Sequence, residues 1–241
     1  MYTNSKNNFS RFSSSTTNDV SWQSVLNFSQ ITPRVRQHLT RVYTCLTLMI
    51  AVAAVGCYVQ ILTHISYIFS AIMLFASLFG TMWASSESTR MACLAAFGFF
   101  KGLTVGGLVE YSLSVNAGIV LAAFLTTTVI FACFSLASLF APKRSLLYIG
   151  GFLGSAVMIL AILGLANLFL RMEFLFNLSL YGGLLIFCGY VIYDTQLIVA
   201  KAEAGNFDYI RHTLDLFIDF AAIFVRILII LTKKEEKKRD Q

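Results

Sequence analysis

Seven long apolar segments follow one another along the chain and restrict its fold more than any other feature. Each approaches or exceeds the roughly 18 to 20 residues that cross about 30 Å of hydrocarbon as a helix. The segments are 42–63, 65–85, 91–110, 115–140, 146–170, 174–200 and 214–231. The connections are short, and only 201–213 has any length. The pattern predicts an all-α, multi-pass membrane protein with seven transmembrane helices.

The charge content favours burial in lipid over a soluble core. Only 12% of the residues are charged, whereas soluble domains carry about 25%. The net charge of +6 comes from basic residues clustered outside the apolar segments, which is typical of topology signals and argues against nucleic-acid binding. The five cysteines lie inside apolar segments without a CxxC pair, so we expect neither a disulfide framework nor a zinc site.

The sequence divides into three parts. We predict an N-terminal tail over 1–41 with a short amphipathic helix, a membrane domain over 42–231 and a basic tail over 232–241. The distribution of Lys and Arg places the N-terminal tail in the cytosol. Seven full spans would carry the basic C-terminal tail to the far side, against the same rule. A re-entrant last segment would keep both ends cytosolic, and the sequence leaves both arrangements open.

Ionisable residues inside apolar segments are costly and therefore mark candidate functional sites. They are Lys101, Asp194, Asp215, Asp219 and Arg226, with Glu110 as a weaker case at a segment end. At 1.5 Å per residue, Asp194 and Asp219 lie roughly 10 Å below the same membrane face, on the two sides of one hairpin. We therefore expect their carboxyl groups to meet, with Asp215 one turn above Asp219 on the same helix face.

Two carboxylates this close in a low-dielectric site cannot both ionise cheaply. Such a pair can share a proton in one state and bind a cation in another, and Ca²⁺ is a suitable cation because it prefers oxygen ligands. Asp194 and Asp219 are then Ca²⁺ ligands in a pH-gated cation path. The structural alternative is hydration near the interface, or a salt bridge between Asp219 and Arg226. For Lys101 we favour a structural or tuning role.

A specific motif surrounds these acids. It comprises Val-Ile-Tyr-Asp194-Thr-Gln-Leu-Ile, Lys-Ala-Glu-Ala-Gly-Asn-Phe-Asp-Tyr-Ile and Leu-Asp215-Leu-Phe-Ile-Asp219-Phe. The motif closely resembles the Bax inhibitor-1 family. The segments Phe28-Ser-Gln-Ile-Thr-Pro-Arg and Gln37-His-Leu-Thr-Arg-Val-Tyr43 resemble animal members in particular. The resemblance runs from about residue 20 to the C-terminus.

The resemblance implies a protein of the endoplasmic reticulum with seven helices, the last of them central, that leaks Ca²⁺ in a pH-sensitive manner and suppresses cell death. It implies that Asp194 and Asp219 form the pH sensor and gate, and that Asp215 takes part in calcium handling. Ca²⁺ and H⁺ are then transported or sensed ions, and no cofactor is expected. The expected partners are the lipid membrane and apoptosis-regulating proteins of the Bcl-2 type. The basic tail is implicated in pH response and partner binding through Lys233, Lys234, Lys237, Lys238 and Arg239.

Two other functions compete with a calcium leak. A non-conducting regulator would act by binding partners through the basic tail. An intramembrane aspartyl protease would also pair a Tyr-Asp with a second Asp on the next helix. Such proteases need Gly-x-Gly-Asp and Pro-Ala-Leu motifs, whereas this chain has Leu-Phe-Ile-Asp219 and its only prolines are Pro33 and Pro142. We therefore expect that the protein is not an enzyme.

Overall fold

The computed structural model describes residues 32–141 and 147–239, and these form an all-helical unit. The helices in these ranges are α1 (Pro33–Thr63), α2 (Tyr67–Trp83), α3 (Glu87–Val115), α4 (Gly118–Phe140), α5 (Ile149–Leu170), α6 (Glu173–Glu203) and α7 (Tyr209–Arg239). The predicted all-α fold class is confirmed. Most of the predicted N-terminal tail, 1–31, lies outside the described residues, as does the loop 142–146 with its basic residues Lys143 and Arg144.

Five helices are long and apolar enough to cross a membrane: α1, α3, α4, α5 and α6. Helix α2 is apolar but has 17 residues. Helix α7 has 31 residues and carries three ionisable side chains within its apolar stretch. At 1.5 Å per residue it is roughly 46 Å long, which exceeds the thickness of the hydrocarbon core.

Helix α7 runs without a break along the full length of α3. At its start, the Tyr209 hydroxyl donates a hydrogen bond to Glu87, in the first turn of α3, over 2.8 Å. At its end, Arg239 donates to the carbonyl oxygen of Val115, the last residue of α3. The two ends of α7 therefore lie at opposite faces of the bundle. This arrangement favours a full span over the re-entrant segment that the sequence left open.

The last helix lies at the centre of the bundle, as the family resemblance implied. It packs against α1, α2, α3, α4 and α6. Leu216, Ile223 and Leu228 of α7 are completely buried between these neighbours. The surrounding helices shield the ionisable residues of α7 from lipid, which explains how a helix with these charges can be accommodated within a membrane domain.

Small residues bring α1 and α3 into close contact. Gly98, Gly102 and Gly106 recur at every fourth position of α3, and a Cβ atom at Gly102 would overlap the carbonyl oxygen of Ala53 on α1. Glycine at such positions lets two helix backbones approach within a membrane. Helix α5 is less buried than the others. Leu153 is the residue of this helix that is fully buried, and within the described ranges the helix packs closely against α6.

The helix boundaries differ from the predicted segments at both ends of the bundle. Pro33 opens α1, as proline commonly does in a first turn, and the helix continues into the predicted first span. Residues 33–40 are therefore part of α1 and not a separate short helix. At the other end, α7 continues through the basic tail as far as Arg239.

Candidate functional site

The hairpin between α6 and α7 sets the depth of the candidate site. Gly205 follows the end of α6 at φ +90°, a left-handed conformation that glycine adopts easily. The N–H groups of Gly205 and Asn206 donate to the carbonyl oxygens of Ala202 and Lys201, which is the Schellman pattern of a helix end. Asp208 then caps α7, because its Oδ1 accepts a hydrogen bond of 3.3 Å from the N–H of Arg211.

This hairpin brings Asp194 of α6 and Asp219 of α7 together. Their carboxyl groups are close enough to interact directly with each other. Asp219 is 3% exposed, whereas Asp194 is half-buried. Because an ionised carboxylate can only accept hydrogen bonds, a bond between the two groups requires that one of them holds a proton. Two carboxyl groups in this arrangement can share one proton.

One oxygen of this pair has no protein partner. Oδ2 of Asp219 is buried and makes no hydrogen bond to any residue in the described part of the chain. A buried carboxyl oxygen without a partner is costly, since the group has lost its water. A proton, a water molecule or a passing cation would each satisfy this oxygen.

Asp215 lies between the pair and the hairpin loop. It is half-buried, and its charge acts on both Asp194 and Asp219. Lys201 and Arg211 in turn act on Asp215 from the loop side. Both acids also act on Tyr190 of α6, and Asp219 acts on Cys188 of the same helix. Positive charges at the loop are thus followed, further inward, by Asp215 and then by the two carboxyl groups of the pair.

Few metal ligands surround the acidic pair among the described residues. Within residues 32–141 and 147–239, no group of three or more His, Cys, Asp and Glu side chains is placed to hold a metal ion. Ca²⁺ takes about six to eight oxygen ligands in stable sites, and the pair supplies far fewer. Two carboxyl groups and one unpartnered oxygen match a proton or a weakly held, largely hydrated cation.

The predicted basic residues inside the membrane do not join this site. Arg226 donates from Nη1 to the carbonyl oxygen of Ala222 over 2.9 Å, and its guanidinium lies 4.4 Å from the centre of the Phe187 ring. In the described ranges no ion pair links it to Asp219, so the alternative of a structural salt bridge is not observed. Lys101 lines a separate cavity.

Glu110 lies at the opposite end of the bundle from the hairpin loop. Its carboxylate is 3.6 Å from Nδ1 of His64, and its side chain is 43% exposed. It can therefore reach water, as its position at a segment end suggested. The structure places it far along α3 from the residues that contact the hairpin, and it takes no part in the acidic pair.

The basic tail extends α7 as a helix with two different faces. Glu236 accepts a hydrogen bond from Tyr111, and Lys233 donates to Asn177 over 3.3 Å while lying 4.3 Å from the centre of the Phe176 ring. Lys234, Lys237, Lys238 and Arg239 are exposed. The acidic residues of the tail thus face the bundle, and most of its basic residues face outward.

Two contacts near the hairpin loop were not predicted. Nε2 of His38 lies 2.9 Å from Nδ1 of His212, and both rings are buried. Arg90 forms a 2.6 Å ion pair with Asp208 and also donates to the carbonyl oxygen of Thr81 over 3.1 Å. The two histidines are 174 positions apart, so no local pattern connects them.

The ion pair fixes the charge state of the loop. Burial alone would raise the pKa of Asp208, but the hydrogen bond from Arg90 and the one from the backbone N–H of Arg211 outweigh it and hold this pKa below its ordinary value. Asp208 is therefore ionised throughout the neutral range. Together with the contact between Tyr209 and Glu87, this ion pair ties the hairpin loop to the start of α3.

The chain is similar to known proteins over most of its length. Residues 35–236 match the family described as Bax1-I, inhibitor of apoptosis-promoting Bax1. The chain is 39% identical to Bax inhibitor 1 of Homo sapiens over 228 residues, which cover 92% of this chain and 96% of that protein. It is 40% identical to Bax inhibitor 1 of Arabidopsis thaliana over 239 residues, which cover 95% of each chain. The similarity thus extends to animal and plant proteins alike.

Proposed function

Since the chain belongs to the Bax inhibitor 1 family, we propose that it is a pH-sensitive Ca²⁺ leak of the endoplasmic reticulum membrane and a suppressor of apoptosis. The observation that carries the proposal is the contact between Asp194 and Asp219 inside the helix bundle, where Oδ2 of Asp219 is buried and has no hydrogen-bond partner among the described residues. The family relation supports the role in cell death. The carboxyl pair supports the pH-sensitive ion path.

The physical basis is competition between a proton and a cation for the same oxygen atoms. When the pair shares a proton, α6 and α7 are held together at the depth of the two carboxyl groups. When the proton leaves, two neighbouring negative charges remain in a low-dielectric site, and they repel each other and attract a cation. Ca²⁺ passage then depends on pH through the occupancy of this one proton site.

The orientation follows from the distribution of positive charge together with the course of α7. We place the N-terminus in the cytosol, where most Lys and Arg residues of the loops then also lie. The hairpin loop with Asp208 is on that same side. Because α7 runs the full length of α3, its basic end then lies on the lumenal side.

The test is Ca²⁺ efflux from proteoliposomes that contain the full-length protein, measured across about pH 6 to 8, a range in which a carboxyl pair that shares a proton can titrate. We expect efflux from the wild type to change with pH, and Asp194→Asn or Asp219→Asn to remove that change. Asp208→Asn is the matched control, since it removes a carboxylate near the same face but outside the pair. Equal efflux from all four proteins at every pH would refute the proposal.

The exposed basic face of the tail supports a second candidate function. Lys234, Lys237 and Lys238 are exposed, Lys238 while lying 3.6 Å from Glu235 of the same tail, and an acidic surface of a partner can reach them. Such a partner could be an apoptosis-regulating membrane protein of the Bcl-2 type. A deletion of the tail would also remove the contacts of Lys233 and Glu236, so it would disturb the bundle. Replacing the three exposed lysines with Gln avoids this problem. A regulator should then lose protection against cell death while Ca²⁺ efflux remains unchanged.

A further inference from the structure

An elongated apolar cavity lies between α1, α3, α4 and α7, apart from the acidic pair. Its volume is about 570 Å³. Along α3 its lining extends from Lys101 to Leu113, which corresponds to roughly 18 Å at 1.5 Å per residue. Phe217 and Phe220 of α7 also line it, and Ala117, the residue before α4, lines the part near the turn between α3 and α4. The dimensions match one long hydrocarbon chain.

Lys101 is the only charged residue among the described residues that line this cavity. It takes part in no ion pair within residues 32–141 and 147–239, and the charged group that acts on it is Arg226, a second cation. A buried ammonium group is costly unless it is paired with an opposite charge. The described residues thus supply a positive charge at this end of the cavity but no anion to balance it.

The depth of Lys101 restricts the anion. This residue lies near the middle of the 29-residue helix α3, so its ammonium group is close to the centre of the membrane domain. A phospholipid headgroup remains at the membrane surface because of its large charged groups. The carboxyl group of a fatty acid is small and can enter in its neutral form.

The cavity is also accessible from the lipid. Helices α1 and α4, as far as they are described, do not pack closely on each other. Tyr58 on α1 and Leu121 on α4 line the cavity and are 63% and 62% exposed. A chain dissolved in the bilayer can therefore enter sideways between these two helices.

We propose that this cavity binds a single long-chain fatty acid, whose carboxylate pairs with Lys101 and whose acyl chain extends toward Leu113. The pairing satisfies a charge that forms no ion pair with any described residue, and the acyl chain fills an apolar space. The site is separate from Asp194 and Asp219. Its occupancy can be tested independently of ion conduction.

The experiment uses the full-length protein in nanodiscs of phosphatidylcholine and a photoactivatable palmitic acid as the probe. Unlabelled palmitate and methyl palmitate compete for labelling at about pH 8, where a free carboxyl group is ionised. Both competitors have the same chain, but only palmitate carries a charge. We expect palmitate to compete at much lower concentration than methyl palmitate and the labelled peptides to come from α1 and α4.

Three variants identify the site. Lys101→Met should weaken competition by palmitate about ten- to hundredfold, the range expected for loss of a hydrogen bond between charged groups, and should leave methyl palmitate unchanged. Lys101→Arg should retain the preference for palmitate. Val105→Phe fills the middle of the cavity and should weaken both competitors. Equal competition by both ligands in the wild type, or an unchanged palmitate preference in Lys101→Met, would overturn the proposal, as would labelling that Val105→Phe does not affect.

Discussion

The helix bundle contains one pair of acidic residues and one pair of basic residues, and the surroundings of the two pairs differ. Asp194 and Asp219 are close enough to interact directly with each other. Lys101 and Arg226 are close enough to act on each other electrostatically, yet each has separate surroundings. Arg226 has a carbonyl oxygen and an aromatic ring, whereas Lys101 faces an apolar cavity.

The difference follows from the chemistry of the two kinds of group. Two carboxyl groups can share one proton, so their repulsion is relieved within the pair and returns when the proton leaves. An arginine cannot lose its proton in a protein, and an ammonium group has no acceptor atom with which to form a bond to another cation. The acidic pair is therefore suited to switching. The basic residues need partners of another kind.

The largest effect is expected when the acidic pair is broken. If Asp194 and Asp219 act as one titrating unit, either Asn substitution removes the proton site completely. The double substitution should then change the pH dependence of Ca²⁺ efflux no further than each single substitution does. The measurement is efflux from proteoliposomes for the wild type, both single variants and the double variant. Additive effects of the two substitutions would show that the carboxyl groups act separately.

A smaller effect is expected at the basic residues, where a substitution should stabilise the protein. Lys101→Met should stabilise the delipidated protein by about 1–2 kcal/mol, because an apolar side chain of similar length replaces a charge that has no ionic partner among the described residues. Thermal unfolding in detergent measures this difference. Addition of palmitate should stabilise the wild type and reduce the gap. If Lys101→Met destabilises the delipidated protein, then Lys101 has a structural partner and the comparison between the two groups fails.

The surroundings of Arg226 can be tested with two adjacent glycines on α6. A Cβ atom at Gly183 would overlap the guanidinium of Arg226, whereas one at Gly182 meets nothing within 4 Å. Gly183→Ala should therefore destabilise the protein by about 1–3 kcal/mol through overpacking. Gly182→Ala should be neutral or stabilising by up to about 1 kcal/mol, since alanine is the better helix former. Equal thermal stability of the two variants would show that Arg226 moves aside without cost.

The sequence predicted the parts of the fold that depend on local pattern. The lengths of the apolar segments predicted an all-α membrane protein. The spacing of Asp194 and Asp219 from the hairpin loop predicted that their carboxyl groups meet. The continuous course of α7 was not predicted, because Asp215, Asp219 and Arg226 made its last segment ambiguous. Only its burial among the other helices explains why it can cross the bundle.

Contacts between distant residues could not be predicted in the same way. His38 meets His212, and Arg90 meets Asp208, across 174 and 118 positions, and each contact depends on how α1 and α3 pack around α7. Lys101 was recognised as unusual from the sequence alone. Its cavity was not, because the lining comes from four helices and is apolar like the rest of each segment.

The smallest effect is expected at the ion pair between Arg90 and Asp208. A substitution there tests the stability of the hairpin loop separately from the pH dependence of Ca²⁺ efflux. The pKa of Asp208 is held below its ordinary value. The ionised Asp208 carboxylate therefore stabilises the folded protein fully above about pH 4, where Asp208 is ionised in the unfolded chain as well. This stabilisation is lost as the pH falls through the lower pKa of Asp208 in the folded protein. Asp208→Asn should cost about 0.5–1 kcal/mol at neutral pH, because the pair is partly exposed to water.

Two measurements on this variant decide its role. The difference in thermal stability from the wild type should shrink as the pH is lowered below about 4, where the wild-type carboxylate is also neutralised. The pH dependence of Ca²⁺ efflux in the neutral range should remain, because Asp208 is already ionised there and does not change its charge. If Asp208→Asn instead abolishes that dependence, the proton sensor includes the hairpin loop, and the acidic pair alone does not account for the response.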